Sequence, residues 1–203
     1  TANPAERVEG FRRRATELGA TVMPWTAVTR IIRQDSRVIG VETSAGRIDA
    51  GSVIIAAGAW SARLCREFGL ELPARPKAID TVAVARPPEL AKGHMVFIDN
   101  VQGNYFRPEG GGLTLVGVPC QEWDIDPDTL GTGLSAQASD LGAQLLVHRI
   151  PAMDRATLSR GYKAFDGYSA DRHAILGRVD GIDRLYLATA FSRSRFKIAP
   201  AVV

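Results

Sequence analysis

The sequence predicts a mixed α/β (α+β) fold in two lobes. "VIIAAGAWS", Val53 to Ser61, is a continuous apolar run that ends in Gly58 before a helical pattern. Such a run suits a strand buried on both faces of a sheet. From Leu72 the texture changes to strands punctuated by proline: Ile79 to Ala85, Met95 to Ile98, and the hairpin "NYFRPEGGGLTLVGVP" from Asn104 to Pro119. These read as antiparallel sheet, with Pro108, Gly110, Gly111 and Gly112 supplying the turn. A last apolar run, Leu185 to Ala190, leads into another helix, so the chain returns to its first lobe. At 203 residues and 45% hydrophobic, there is material for one large domain or two small lobes.

The remaining elements follow in order. Asn3, Pro4 and Glu6 open a helix as N-cap, first-turn proline and carboxylate three residues past the cap. Val8, Phe11, Ala15 and Leu18 share one face of it, and Gly19 closes it in the left-handed conformation. Val28 to Ile32, Val38 to Thr43 and Arg47 to Ala50 are short strands of a small antiparallel meander, turned at Ser44-Ala45-Gly46. A second helix covers about Ala59 to Phe68. A third runs from about Leu134 to Val147, before a strand at Thr157 to Phe165.

Composition excludes several function classes. Net charge is only +3 and the basic residues are scattered, so nothing resembles a nucleic-acid stripe. The run Arg12-Arg13-Arg14 falls on the solvated face of the first helix. No apolar run approaches the roughly 20 residues that span a bilayer, and the first residues are not a signal peptide. A cytoplasmic protein with no membrane partner is the expectation. Cys65 and Cys120 have neither metal-ligand spacing nor disulfide density, so no metal site is expected. The preference for arginine over lysine points to a bacterial source with a GC-rich genome.

Three stretches carry a family resemblance. "GATVMPWTAVTRII…GRIDAGSVIIAAGAWSARL", "NYFRPEGGGLTLVG" and "GYSADRHAILG…DRLYLATAFSRSRFKIAPAV" occur in the order and spacing of the D-amino-acid oxidase superfamily of FAD-dependent oxidoreductases, which includes glycine oxidase and sarcosine oxidase. The resemblance implies a partial FAD-binding lobe of glutathione-reductase type (residues 1–71 and 174–203) and an antiparallel substrate lobe (72–173). It also implies hydride removal from the α-carbon of an amine or amino acid, with the flavin supplying the redox chemistry. By the same mapping, Val28 contacts the adenosine part of FAD through its backbone. Ala57, Gly58 and Trp60 lie beside the cofactor, and Phe191, Ser192 and Lys197 approach the flavin ring and ribityl chain. Some relatives attach FAD through a cysteine before a "TPD"-like segment, here Ser169-Ala170-Asp171; Ala164 to Tyr168 holds no cysteine, so any flavin is expected to be noncovalent.

Two departures from the family pattern matter. There is no N-terminal Gly-x-Gly-x-x-Gly on which a pyrophosphate would sit, and residue 1 matches a point well inside the family's chain. The sequence is therefore expected to be the C-terminal part of a longer protein, or a subunit, and to self-associate or pair with a missing N-terminal segment through an apolar edge. In the last loop, where the family reads roughly "GFSGHGFK", Ala190, Arg193 and Arg195 replace three glycines. Arginine gives up easy access to positive φ, which predicts a weakened or reshaped flavin contact. Two readings result: part of an FAD-dependent amine or amino-acid oxidoreductase, or a degenerate, non-catalytic binding module of the same ancestry.

Arg160 is the candidate for a substrate carboxylate, by its position and by the fork geometry of guanidinium. Tyr105 and Tyr162 are the candidate hydroxyls for the same ligand, against a surface role for the arginine and a packing role for Tyr105. His173 reads as structural, and Asp171 as a residue that holds local N–H groups.

Overall fold

A computed structural model of the chain describes residues 4–193, 198 and 202. It divides into two compact units, residues 1–75 with 167–203, and residues 76–166. No helix among the described residues is long and apolar enough to cross a membrane.

The first unit opens with helix α1, Pro4–Glu17. Ala20 N–H bonds the Ala15 carbonyl and Gly19 N–H that of Thr16, with Gly19 at φ +95°, so the helix ends in a Schellman motif as expected. Arg12 and Arg14 pair with Glu9 and Glu17 on the exposed surface. The apolar stripe is exposed too: Val8, Phe11 and Leu18 are each at least 61% accessible. Strands β1 (Val28–Gln34), β2 (Arg37–Thr43) and β3 (Gly46–Asp49) form the expected antiparallel meander. Gly40 is required where β2 meets β3, because a Cβ there would lie 2.3 Å from the Ile48 carbonyl oxygen.

The expected long buried strand is a correction. Strand β4 covers only Val53–Ile55, pairing in parallel with β11 (Leu185–Thr189), which pairs antiparallel with β10 (Ile175–Arg178). In the order β10-β11-β4, β4 is an edge, which leaves Ile54 65% exposed. The chain leaves the strand early because Gly58, at φ +55°, turns it into a single 3₁₀ turn, Gly58–Trp60. Helix α2 is correspondingly short, Ser61–Arg66. Ile31, Val38, Ile55, Cys65, Val179, Leu185 and Leu187 form the core of this unit.

The second unit is built on a five-stranded sheet in the order β6-β7-β8-β5-β9: β5 Ala74–Ala85, β6 Phe97–Asp99, β7 Asn104–Pro108, β8 Leu113–Val118 and β9 Thr157–Ser169. The first residues of β5 and the last of β9 belong to the first unit. The β7–β8 hairpin turns through Gly111 and Gly112, both at positive φ. Helix α3, Ala136–Arg149, is capped by Ser135, whose hydroxyl accepts from Ala138 N–H at 3.1 Å. It comes close to the sheet at Gly142, where a Cβ would already lie 3.0 Å from Val82 and Val118. Val82, Val84, Phe106, Val116, Val118, Leu146 and Met153 make the core beneath it.

Candidate functional site

Within the first unit, the ends of three strands converge on the turn after β4. Among the described residues nothing lies within 4 Å of where a Gly58 Cβ would stand, so their backbone leaves that side open to a ligand. On another side it is closed: a Cβ on Gly167 would lie 3.2 Å from the Gly58 carbonyl, which holds the end of β9 against this turn. Thr189, the last residue of β11 and fully buried, donates to the Gly58 carbonyl at 3.2 Å. Its Oγ1 also lies 2.7 Å from Oγ of buried Ser61 at the start of α2. Thr189 is the donor toward Ser61 as well, so its single proton is shared between the Gly58 carbonyl and the Ser61 hydroxyl.

The loop after β11 is pinned to the same place. Ser192 N–H bonds the Gly167 carbonyl, Ser169 N–H bonds Ser192 Oγ, both at 3.2 Å, and Phe191 bridges Tyr168. Ala190, Ser192 and Arg193 stand at φ +54°, +49° and +71°. The exchange of glycine for alanine and arginine thus leaves a left-handed backbone at Ala190 and Arg193. The conformation costs about 1–2 kcal/mol per non-glycine residue and is held where Ser192 N–H donates to the Gly167 carbonyl and Ser192 Oγ accepts from Ser169 N–H.

Of the residues implied by resemblance, Ala57, Gly58, Trp60, Phe191 and Ser192 therefore belong to the turns that meet here. Val28 begins β1 in the separate meander sheet. Lys197 and Arg195 lie outside the described residues. Sequence reasoning missed Ser61, Gly167, Ser169 and Thr189. Their signal was the run of small and hydroxyl residues at strand ends, which composition alone does not separate from ordinary turns.

The substrate candidates sit in the second unit and do not all converge. Arg160 and Tyr162 are exposed, two residues apart on one face of β9. Tyr105 is on β7, with β8 and β5 between. Three strand spacings separate it from β9, about 14 Å. Its ring instead covers Gly117, where a Cβ would lie 2.0 Å from Cε1. The ring packs on the sheet, as the packing reading of Tyr105 has it. His173 and Asp171 are exposed, and the Asp171 carboxylate accepts from His173 N–H at 2.9 Å. That bond, with a further one from Ser169, holds its pKa below the ordinary value. Burial pushes the Cys65 thiol up.

A family model described as FAD dependent oxidoreductase matches residues 1–202. The sarcosine oxidase subunit beta of Rhizobium meliloti is 30% identical over 203 residues, covering 95% of this chain and 44% of that protein. A glycine oxidase of Pseudomonas aeruginosa is 31% identical over 179 residues, covering 87% and 46%. Among solved structures, L-proline dehydrogenase from P. horikoshii superposes with a TM-score of 0.87 at 23% identity, over 99% of this chain and 53% of that one. Glycine oxidase from Geobacillus kaustophilus gives 0.79 at 24%, over 93% and 48%. The structural likenesses establish the fold. The chain spans about half the length of the curated relatives it matches.

Proposed function

The chain belongs to the FAD dependent oxidoreductase family, whose members act on amino acids or amines, and we propose that it forms one wall of the cofactor site and the substrate lobe of such an enzyme. The observation that carries this reading is the retained left-handed cradle: Gly58 open at its Cα, and Ala190, Ser192 and Arg193 held at positive φ beside it. These residues fit a planar cofactor running over backbone rather than over side chains.

FAD, when bound, supplies the acceptor for the hydride removed from the substrate's α-carbon. Gly58 admits the cofactor, Thr189 and Ser61 fix the turn that presents it, and Phe191 and Ser192 form the opposing loop. The flavin is held noncovalently, since no cysteine occurs from Ala164 to Tyr168. Arg160 binds the substrate carboxylate with Tyr162 as its neighbour on the strand, while the Tyr105 ring packs on the sheet three strands away.

A partner supplies the pyrophosphate-binding glycine motif, as a further segment of the same polypeptide or a separate chain. Exposed Val8, Phe11, Leu18, Trp25 and Ile54 give it an apolar surface to cover. The long cation of Arg193 beside the cradle favours a second reading, a non-catalytic module of the same ancestry. Anaerobic mixing of the flavin-loaded protein with amino acids and N-methyl amines separates the two. Bleaching of the flavin absorbance supports the enzyme, and an unbleached flavin across the panel supports the module.

A further inference from the structure

Past the end of β8 the chain stays beside β5: Ala78 N–H bonds the Glu122 carbonyl, and Asp124 N–H bonds that of Pro76. This pairing gathers Asp80 of β5 with Cys120 and Glu122. One Asp80 carboxylate oxygen, the Cys120 Sγ and one Glu122 carboxylate oxygen all lie within 4.8 Å of one another. Asp80 is only 5% exposed; its carboxylate draws on the Cys120 thiol, but its Oδ1 finds no hydrogen-bond partner among the described residues. Lys163 of β9 is paired with the group, yet its Nζ is 4.0 Å from that oxygen, too far for a hydrogen bond, and donates to Glu122 instead. A carboxylate in this condition has lost its water without gaining a full replacement, which is costly.

We propose that Asp80, Cys120 and Glu122 form a zinc site that ties β5 to the segment following β8, with water as the fourth ligand. The donor set is one that zinc accepts, thiolate sulfur with carboxylate oxygens. Bonds of about 2.3 Å to sulfur and 2.0–2.2 Å to oxygen at tetrahedral angles set the donors about 3.5 Å apart. The present spacing, at most 4.8 Å, therefore closes by no more than about 1.3 Å, within reach of the exposed Glu122 side chain. On binding, the Zn–S bond forms as the Cys120 S–H breaks and its proton passes to solvent. Lys163 keeps its proton and swings off Glu122 into water, so metal and ammonium compete for the same carboxylates. Spacing in sequence could not reveal the site, because Asp80 comes from a different strand, forty residues before Cys120.

The test is a titration of the reduced, metal-free full chain with Co²⁺ in a metal buffer, followed by Zn²⁺ competition. The expected result is a thiolate-to-cobalt charge-transfer band saturating at one ion per chain and erased by Zn²⁺. Cys120→Ser should remove the band while far-UV circular dichroism stays unchanged. Lys163→Met, which deletes the competing cation, should bind at least about tenfold more tightly. No band in the native chain, a band that appears only in Lys163→Met, or a band that survives Cys120→Ser would each overturn the proposal.

Discussion

Thr189→Val should destabilise the first unit by about 2 kcal/mol. Valine keeps the shape of threonine, so no cavity opens and the loss is of the hydroxyl alone. Thr189 is fully buried, and its hydroxyl joins the Gly58 carbonyl to Ser61 Oγ, itself fully buried. Removing it takes one of two donors from the Gly58 carbonyl, which keeps the Ser61 N–H, and leaves the buried Ser61 hydroxyl without this partner, at about 1–3 kcal/mol for a buried group left unpaired. For a chain of this size that lowers the melting temperature by about 4–8 °C. Thr189→Ser keeps the hydroxyl and should lose less than half as much. Ser61→Ala leaves the bond to Gly58 intact and should cost about 1 kcal/mol. Urea unfolding followed by tryptophan fluorescence, with Trp60 adjacent to Ser61, reads the difference. A Thr189→Val variant within about 0.5 kcal/mol of the native chain, near the scatter of surface substitutions, would refute the claim that this hydroxyl pair braces the turn.

Further predictions concern the loop, the pH response and assembly. Ala190→Gly and Arg193→Gly should each stabilise the chain by about 0.5–1 kcal/mol, the left-handed cost less glycine's extra unfolded-state entropy; chemical denaturation checks this, and a loss in both would show that neither position is strained. Asp171 should titrate below the ordinary 3.8, because the folded state favours its carboxylate through His173 N–H. Its contribution to stability is thus present above that pH and fades as pH falls through the lower folded value; a side-chain carboxyl NMR titration with a midpoint at or above 3.8 would contradict it. The exposed apolar surface of α1 and β4 should drive association, so light scattering at high concentration should report more than one chain per particle, and a clean monomer would count against a covered face.

The elements with strong local signals were legible in the sequence. The Schellman end at Gly19, the meander, and the Gly111-Gly112 hairpin each rest on a residue whose chemistry leaves few options. Val53 to Ser61 misled because an apolar run states what a segment prefers, whereas β4 is paired on one side only and Gly58 turns the chain away. At Ala190 and Arg193 propensity marks a cost and no more: tertiary bonds to the Gly167 carbonyl and from Ser169 N–H, more than twenty residues earlier, hold the left-handed loop. The hydroxyl pair of Thr189 and Ser61 was out of reach for the same reason, since 128 residues separate them. The strand order that sets Tyr105 three strands from Arg160 was not legible either, because it depends on pairings between distant segments.

The central claim is that this cradle binds flavin, and a titration of the purified chain with FAD, read by quenching of flavin fluorescence, tests it most directly. The account predicts saturable binding, by the chain itself or once the glycine-motif partner is added, and weaker binding when Gly58 is replaced by valine. No saturation under either condition, or equal affinity with Gly58→Val, would contradict it.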